Sequence, residues 1–303
     1  MLFLFLSAKI LNIFTRKYMV VAISGASGFV GQMLVKKMTD NGWTIRIIDR
    51  YNLALPDAIF LEQLIEGADV VINLAGAPIT RKWTEAWKKE IFESRILTTR
   101  KIATAIGNAE NKPALFISTS AIGIYNSTHR HTESSTMFAD TFLADVCRNW
   151  EAEALSVQQS TRVVIFRNGL ILGEHGGALK KMEGLFKYGL GGKIGNGRQP
   201  VSFIHLSDLL DALFFVIEHS GMHGIYNAVS PFPATNREFT EKLGKVLGQP
   251  AILTIPAFIL KLIYGEGAIA LLEGQYVIPQ RLEEAGFRFK YPTLQSALIR
   301  IYK

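Results

Sequence analysis

The segment Val20-Val21-Ala22-Ile23-Ser24-Gly25-Ala26-Ser27-Gly28-Phe29-Val30-Gly31 carries an apolar strand straight into three glycines spaced three residues apart. A buried strand that must stop, turn and restart as a helix meets a steric obstacle at each Cβ. Gly25 permits the tight turn, Gly28 lets the backbone approach a pyrophosphate, and Gly31 lets the new helix pack close to the strand. The helix N-terminus, over Phe29 and Val30 behind Ser27, presents unpaired N–H groups and a partial positive charge to phosphate. Three glycines alone are a weak signal. Here the context that gives them meaning is present: a strand before, an amphipathic helix after (Met33, Leu34, Met38), and a second strand over Trp43–Ile48. The stretch predicts a dinucleotide-binding β-α-β unit.

In such a unit the end of the second strand meets the adenosine ribose. An acid there accepts hydrogen bonds from the ribose hydroxyls and repels a 2′-phosphate, whereas an arginine attracts that phosphate. Asp49 argues for NAD and Arg50 for NADP, and both readings stay open.

Beyond this unit, strands and helices alternate, which predicts a parallel sheet with helices on both faces. Strands are expected over Asp69–Leu74, Ala114–Thr119 and Arg162–Phe166, and helices over Leu61–Glu66, Trp83–Ile91, Arg95–Ile106, Phe142–Gln158 and Ser207–His219. A glycine-rich stretch from Gly173 to Gly197 interrupts the rhythm, and Thr235 with Glu238 forms a capping box for a helix reaching Leu247. The expected architecture is α/β: a Rossmann doubly wound parallel sheet with a smaller C-terminal α+β substrate lobe. Residues 19–172 form the dinucleotide domain, to which 200–230 return, while 173–199 and 231–303 form the lobe.

The 303 residues suffice for a full core, and 49% hydrophobic with 19% charged residues is ordinary for an enzyme. A single cysteine, Cys147, excludes a disulfide framework and a cysteine-based zinc site and points to a reducing, cytoplasmic setting. The net charge of +7 comes without a basic run or aromatic-basic stripe, so phosphorylated small molecules are expected rather than nucleic acid. Met1–Leu6 is apolar but far short of the ~20 residues that span a bilayer, so no membrane partner is expected. Residues 1–18 read as a non-core extension ahead of Met19.

Ligands of open α/β sheets sit beyond the carboxyl ends of the strands. Three such ends carry candidates. Asn73-Leu74-Ala75-Gly76 offers small residues beside which a nicotinamide ribose fits. Ser118-Thr119-Ser120, leading to Tyr125, offers hydroxyls, with Ser120 orienting a substrate oxygen and Tyr125 giving or taking a proton. A tyrosine with pKa near ~10 needs a neighbouring cation to act as a base at neutral pH. Arg167-Asn168-Gly169 is the third end, and Asn168, Arg198 and His205 are the substrate-side candidates.

Together these residues resemble the extended short-chain dehydrogenase/reductases, the nucleotide-sugar epimerase and dehydratase group. Within it the chain is similar to the YfcH-like epimerase family with a distinctive C-terminal domain. The resemblance rests on Ser24–Gly31, Ile72–Ile79, Glu93-Ser94-Arg95, Ser118–Tyr125, Phe142–Glu151, Arg167–Gly173 and Phe203–Asp208. Its most specific part is the tail, Gly265-Glu266, Leu271–Gln275 and Pro279–Phe287. It implies NAD(P) binding and hydride transfer on a small or nucleotide-linked carbonyl or alcohol. The parent group uses a serine or threonine, a tyrosine, and a lysine four residues after the tyrosine. Ser120 stands at the serine position, but the tyrosine and lysine positions hold Leu143 and Cys147. The YfcH-like family generally lacks that pair. Its threonine-arginine habit at the second strand end implies NADP through Arg50, from which Asp49 departs. Asn126 likewise replaces the usual glycine after Tyr125. Two functions follow: an oxidoreductase or epimerase with the groups named above, or a weakly catalytic NAD(P)-binding redox sensor linked to cell division. The partner is a small molecule, and the chain is a monomer or homodimer.

Overall fold

Val21, Ala22 and Ile23 are fully covered, as are Val71 and Ile72 and then Phe116 and Ile117, so these strands read as continuous apolar runs rather than alternating ones. That is the pattern of a parallel sheet with helices on both faces. The computed structural model describes residues 18–55, 59–174 and 176–303. The N-terminal extension expected over 1–18 lies outside the described residues apart from the exposed Tyr18.

The chain runs β1 (Val20–Ser24), α1 (Phe29–Asp40), β2 (Thr44–Ile48), α2 (Arg50–Ala54), α3 (Ile59–Ile65), β3 (Val70–Asn73), α4 (Glu85–Asn108) and β4 (Leu115–Ala121). It continues through α5 (Phe142–Leu155), β5 (Arg162–Asn168), β6 (Leu170–Leu172), α6 (Gly177–Lys187), β7 (Gly192–Ile194), β8 (Phe203–His205), α7 (Leu206–Glu218) and β9 (Gly224–Ala228). Farther along the chain come α8 (Asn236–Leu247), β10 (Leu253–Ile255), α9 (Ala257–Tyr264) and α10 (Leu294–Tyr302). Six strands form one sheet in the order β9-β5-β4-β3-β1-β2. β1 pairs in parallel with β2 and β3, β3 with β4, and β9 with β5. The strand succession reverses between β1 and β3, the switch point at which doubly wound sheets bind their ligands.

Two compact units are present. One comprises the residues up to Ala75 with Thr98–Ser118 and Glu153–Val163; the other comprises Gly76–Leu97, Thr119–Ala152 and Val164–Lys303. The second unit contains a core in which Leu172, Leu179, Phe186, Phe203, Phe239, Leu243, Leu294 and Leu298 are buried together. Burying each such side chain contributes about 1.5–3 kcal/mol. The capping box at the start of α8 forms as expected: Thr235 Oγ1 accepts from Glu238 N, and the Glu238 carboxylate accepts from Thr235 N.

Two helix boundaries differ from expectation. Trp83–Ile91 and Arg95–Ile106, expected as separate helices, merge from Glu85 onward into the single α4, which Trp83 and Thr84 precede. Ser94 and Arg95 lie within it, and both turn their side chains toward the backbone of Ala77. The helix expected to reach Gln158 ends at Leu155, where a turn closes with Gln158 N donating to the Leu155 carbonyl. Among the described residues no helix is long and apolar enough to cross a membrane.

Candidate functional site

The glycine loop follows β1 as the sequence requires. Gly25 adopts φ 74°, and a Cβ there would lie 2.7 Å from the Leu74 carbonyl carbon and 2.9 Å from Ala75 N. A Cβ on Gly31 would run into the Gly25 carbonyl oxygen and come within 2.8 Å of Ala26 Cα. Gly28 caps α1 without a side chain, and the first turn holds no acidic residue. Its N–H groups and the positive end of the helix dipole are therefore left to an anion. Ser27 and Gly28 are exposed at the loop tip, with Phe29 and Val30 half-buried behind them. A cradle that a Cβ would fill, under an uncapped helix start, fits a dinucleotide pyrophosphate.

Asn73 lies beneath this loop and is fully buried. Its Oδ1 accepts from Ser24 Oγ (2.6 Å) and its Nδ2 donates to Thr99 Oγ1 (2.7 Å), so the side chain ties the ends of β1 and β3 together. Leu74 and Ala75 are half-buried in the loop that follows. Ser118, in the middle of β4, is buried with no hydrogen-bond partner for Oγ among the described residues. At the β2 end, the Asp49 carboxylate accepts from Asn52 N (2.8 Å) while Asn52 Oδ1 accepts from Asp49 N (3.0 Å). This capping box engages the acid with α2. Arg50 is exposed, and its side chain bonds to nothing among the described residues.

The polar residues from Ser120, near the end of β4, onward form a buried network. Ser120 Oγ donates to Glu151 Oε1 (2.7 Å), and Arg167 grips the same carboxylate through Nε (2.8 Å) and Nη2 (2.7 Å). Arg167 Nη1 donates to Tyr125 Oη (2.7 Å), which donates to Asn227 Oδ1 (2.9 Å). Asn227 N in turn donates to Glu133 Oε1 (2.9 Å). The Tyr125 ring stacks on His131 at 4.7 Å, and Arg167 Cζ lies 5.0 Å from the Tyr125 ring centroid.

Burial raises the Tyr125 pKa more than Arg167 lowers it, so the phenol stays protonated at neutral pH. Burial works against the Arg167 charge too, but Glu151 outweighs it and holds the guanidinium above the ordinary arginine range. Cys147, at the position where the resemblance places a lysine, is buried, and burial pushes its thiol up to about 11. It supplies no positive charge.

Ser120 and Tyr125 are thus brought together, linked through Glu151 and Arg167. Asn168, at the end of β5, keeps a buried Oδ1 with no partner among the described residues. His205 also has a local structural role. It caps α7, its Nδ1 accepting from Ser207 N (3.1 Å), its ring lies 4.2 Å from that of Tyr291, and burial pulls its pKa down to about 4. Arg198 is exposed on a turn, its backbone N donating to Asn196 Oδ1. Glu151, Asn227 and Glu133 were not singled out from the sequence. Glu151 had a signal, four residues beyond Cys147 on the helix face of the missing pair; Asn227 and Glu133 had none.

The sequence pattern of the NAD dependent epimerase/dehydratase family matches residues 21–228, and a domain of unknown function, DUF1731, matches 255–301. The chain belongs to the NAD dependent epimerase/dehydratase family. It is 36% identical over 297 residues to the chloroplastic epimerase family protein SDR39U1 homolog of Arabidopsis thaliana, covering 92% of this chain and 86% of that one. Mouse (Mus musculus) epimerase family protein SDR39U1 is 36% identical over 288 residues, covering 92% and 98%. The crystal structure of human epimerase family protein SDR39U1 with NADPH superposes with a TM-score of 0.87 at 34% identity, covering 94% of this chain and 99% of that one. The family is NAD(P)-dependent, and the DUF1731 match contains the tail, Gly265 to Phe287, that carried the resemblance.

Proposed function

We propose that the chain is an NADP(H)-linked oxidoreductase or epimerase that moves hydride to and from a small or nucleotide-linked carbonyl or alcohol, with 173–199 and 231–303 as its substrate lobe. The observation that carries this reading is the 2.7 Å bond from Ser120 Oγ to the buried Glu151 carboxylate. It gives the serine a fixed orientation and the substrate proton a destination where the tyrosine–lysine pair is missing. When a substrate hydroxyl donates to Ser120 Oγ, the serine proton passes to Glu151; reduction of a carbonyl runs the same path backwards. Arg167 holds the carboxylate in place from the far side. Tyr125, whose O–H is aimed at Asn227, braces Arg167 and enters the proton path only by breaking that bond. The nicotinamide of a bound cofactor supplies the hydride acceptor or donor. Asn168, with its unpartnered oxygen, is the favoured substrate contact, ahead of the exposed Arg198 and the helix-capping His205.

NADP is favoured over NAD because Asp49 is engaged in its cap while Arg50 stands exposed, and because the human relative was crystallised with NADPH. A second reading, an NAD(P)-binding sensor with little turnover, is supported by Cys147 in the lysine position.

Nicotinamide fluorescence tests both. NADPH should bind at least ~10-fold tighter than NADH, and Arg50→Ala should erase the difference. Some member of a panel of carbonyl compounds and sugar nucleotides should then oxidise bound NADPH. Glu151→Gln and Ser120→Ala should slow that oxidation by about 10²-fold or more at unchanged cofactor affinity; Tyr125→Phe should slow it less. Tightly bound NADPH that no compound oxidises would leave the sensor reading standing.

A further inference from the structure

The backbone at Gly76 packs against a positive charge that the proposed chemistry does not use. Arg95, on α4, donates through Nη2 to the Ala77 carbonyl (3.0 Å) and through Nη1 to the Ile91 carbonyl (3.2 Å). Its guanidinium carbon lies 5.2 Å from the Trp150 ring centroid. A Cβ on Gly76 would approach that carbon to 3.0 Å and press on the guanidinium. Gly76 itself is exposed, and Arg95 is half-buried beside it.

No Asp or Glu among the described residues pairs with Arg95. Burial disfavours its charge, and Cys147 is the neighbour that interacts with it. An arginine in a protein does not give up its proton. The charge is therefore balanced only by two carbonyl dipoles and a ring face, while a desolvated ion without a counter-charge is expensive. Those carbonyls occupy two of the five N–H donors that a guanidinium carries, leaving part of the fork for an incoming group. Planar bidentate recognition is what such a fork offers to a carboxylate or phosphate. Trp150, under the guanidinium, stands on α5 three residues beyond Cys147, on the helix that also bears Glu151.

We propose that Arg95 anchors an acidic group, carboxylate or phosphate, carried by the substrate. The substrate class narrows to carbonyl compounds or alcohols that bear an acid. This inference rests on the hydride-transfer reading for the identity of its ligand, but the anion site is testable by itself.

Orthophosphate and succinate are titrated calorimetrically into the wild-type protein and Arg95→Gln, each with and without saturating NADPH. At least one probe should bind the wild type, and Arg95→Gln should weaken it at least ~10-fold while NADPH affinity stays within ~3-fold. Arg95→Lys, which keeps the charge and loses the fork, should recover part of the affinity. Gly76→Ala, which crowds the guanidinium, should weaken the probe in a chain whose arginine is intact, and it serves if Arg95→Gln fails to fold. Equal probe binding by wild type and Arg95→Gln overturns the proposal, as does no binding of either probe to the wild type. A parallel loss of NADPH affinity in Arg95→Gln also overturns it, by transferring the arginine to the cofactor. If the wild type binds a probe through Arg95 but never NADPH, the hydride-transfer reading fails and the anion site stands.

Discussion

The loop from Gly25 to Gly31 works by leaving atoms out, whereas the network from Ser120 to Asn227 works by saturating every polar atom it contains. In the loop, tolerance is set by backbone atoms that cannot move: the Gly25 carbonyl lies where a Gly31 side chain would begin, and the Leu74 carbonyl where a Gly25 side chain would begin. In the network, tolerance is set by charge. Glu151 and Arg167 are 6% and 3% exposed, so each is acceptable only because the other is there. A steric site fails through one added methyl, and an electrostatic site through one missing partner.

The largest effect should come from the network. Arg167→Met strands the Glu151 carboxylate and should cost about 3–5 kcal/mol, whereas adding Glu151→Leu to the same chain should restore most of that loss. Thermal melts of the two singles and the double give the coupling; purely additive losses would show that the two residues do not act as a pair. The loop should respond less in stability and more in binding. Gly31→Ala forces a methyl against the Gly25 carbonyl and should cost about 1–3 kcal/mol while abolishing measurable NADPH binding. Retained binding in that variant would break the steric account of the cradle.

The smallest effect concerns His205, whose pKa of about 4 lies below the ~6.5 of a free histidine. Between those values the unfolded chain takes up a proton that the folded chain refuses, so stability falls as the pH is lowered from ~6.5 to ~4 and is fully present above that window. His205→Asn keeps a good helix cap and removes the titration. Its melting temperature should therefore fall less across that window than the wild type's, and identical pH profiles would show that His205 is not the titrating group.

The same contrast explains what could be read from the sequence. Gly25, Gly28 and Gly31 act within one turn of chain, and Thr235 with Glu238 within three residues, so spacing reveals them. Glu151 and Arg167 lie 16 residues apart, on a helix and on the strand that follows it. Tyr125 and Asn227 are 102 apart and meet only because the sheet places their segments together. No linear pattern announces such a bond. Arg95 was hidden differently: a charged residue in mid-helix reads as a solvated face, and only its bonds to the Ala77 and Ile91 carbonyls and its place over Trp150 show that it turns inward. Asp49 and Arg50 were legible as residues but not as a choice, since the acid's engagement depends on Asn52 capping back.

Cys147 gives the molecule a use as its own reporter. It is the only thiol in the chain, it is buried, and its pKa of about 11 leaves almost no thiolate at neutral pH. Alkylation by iodoacetamide therefore waits for the segment around it to open, and the labelling rate counts openings rather than surface encounters. Any compound that seats against α5 or the end of β4 should lengthen that wait, so candidate ligands can be ranked by mass spectrometry before a reaction is known.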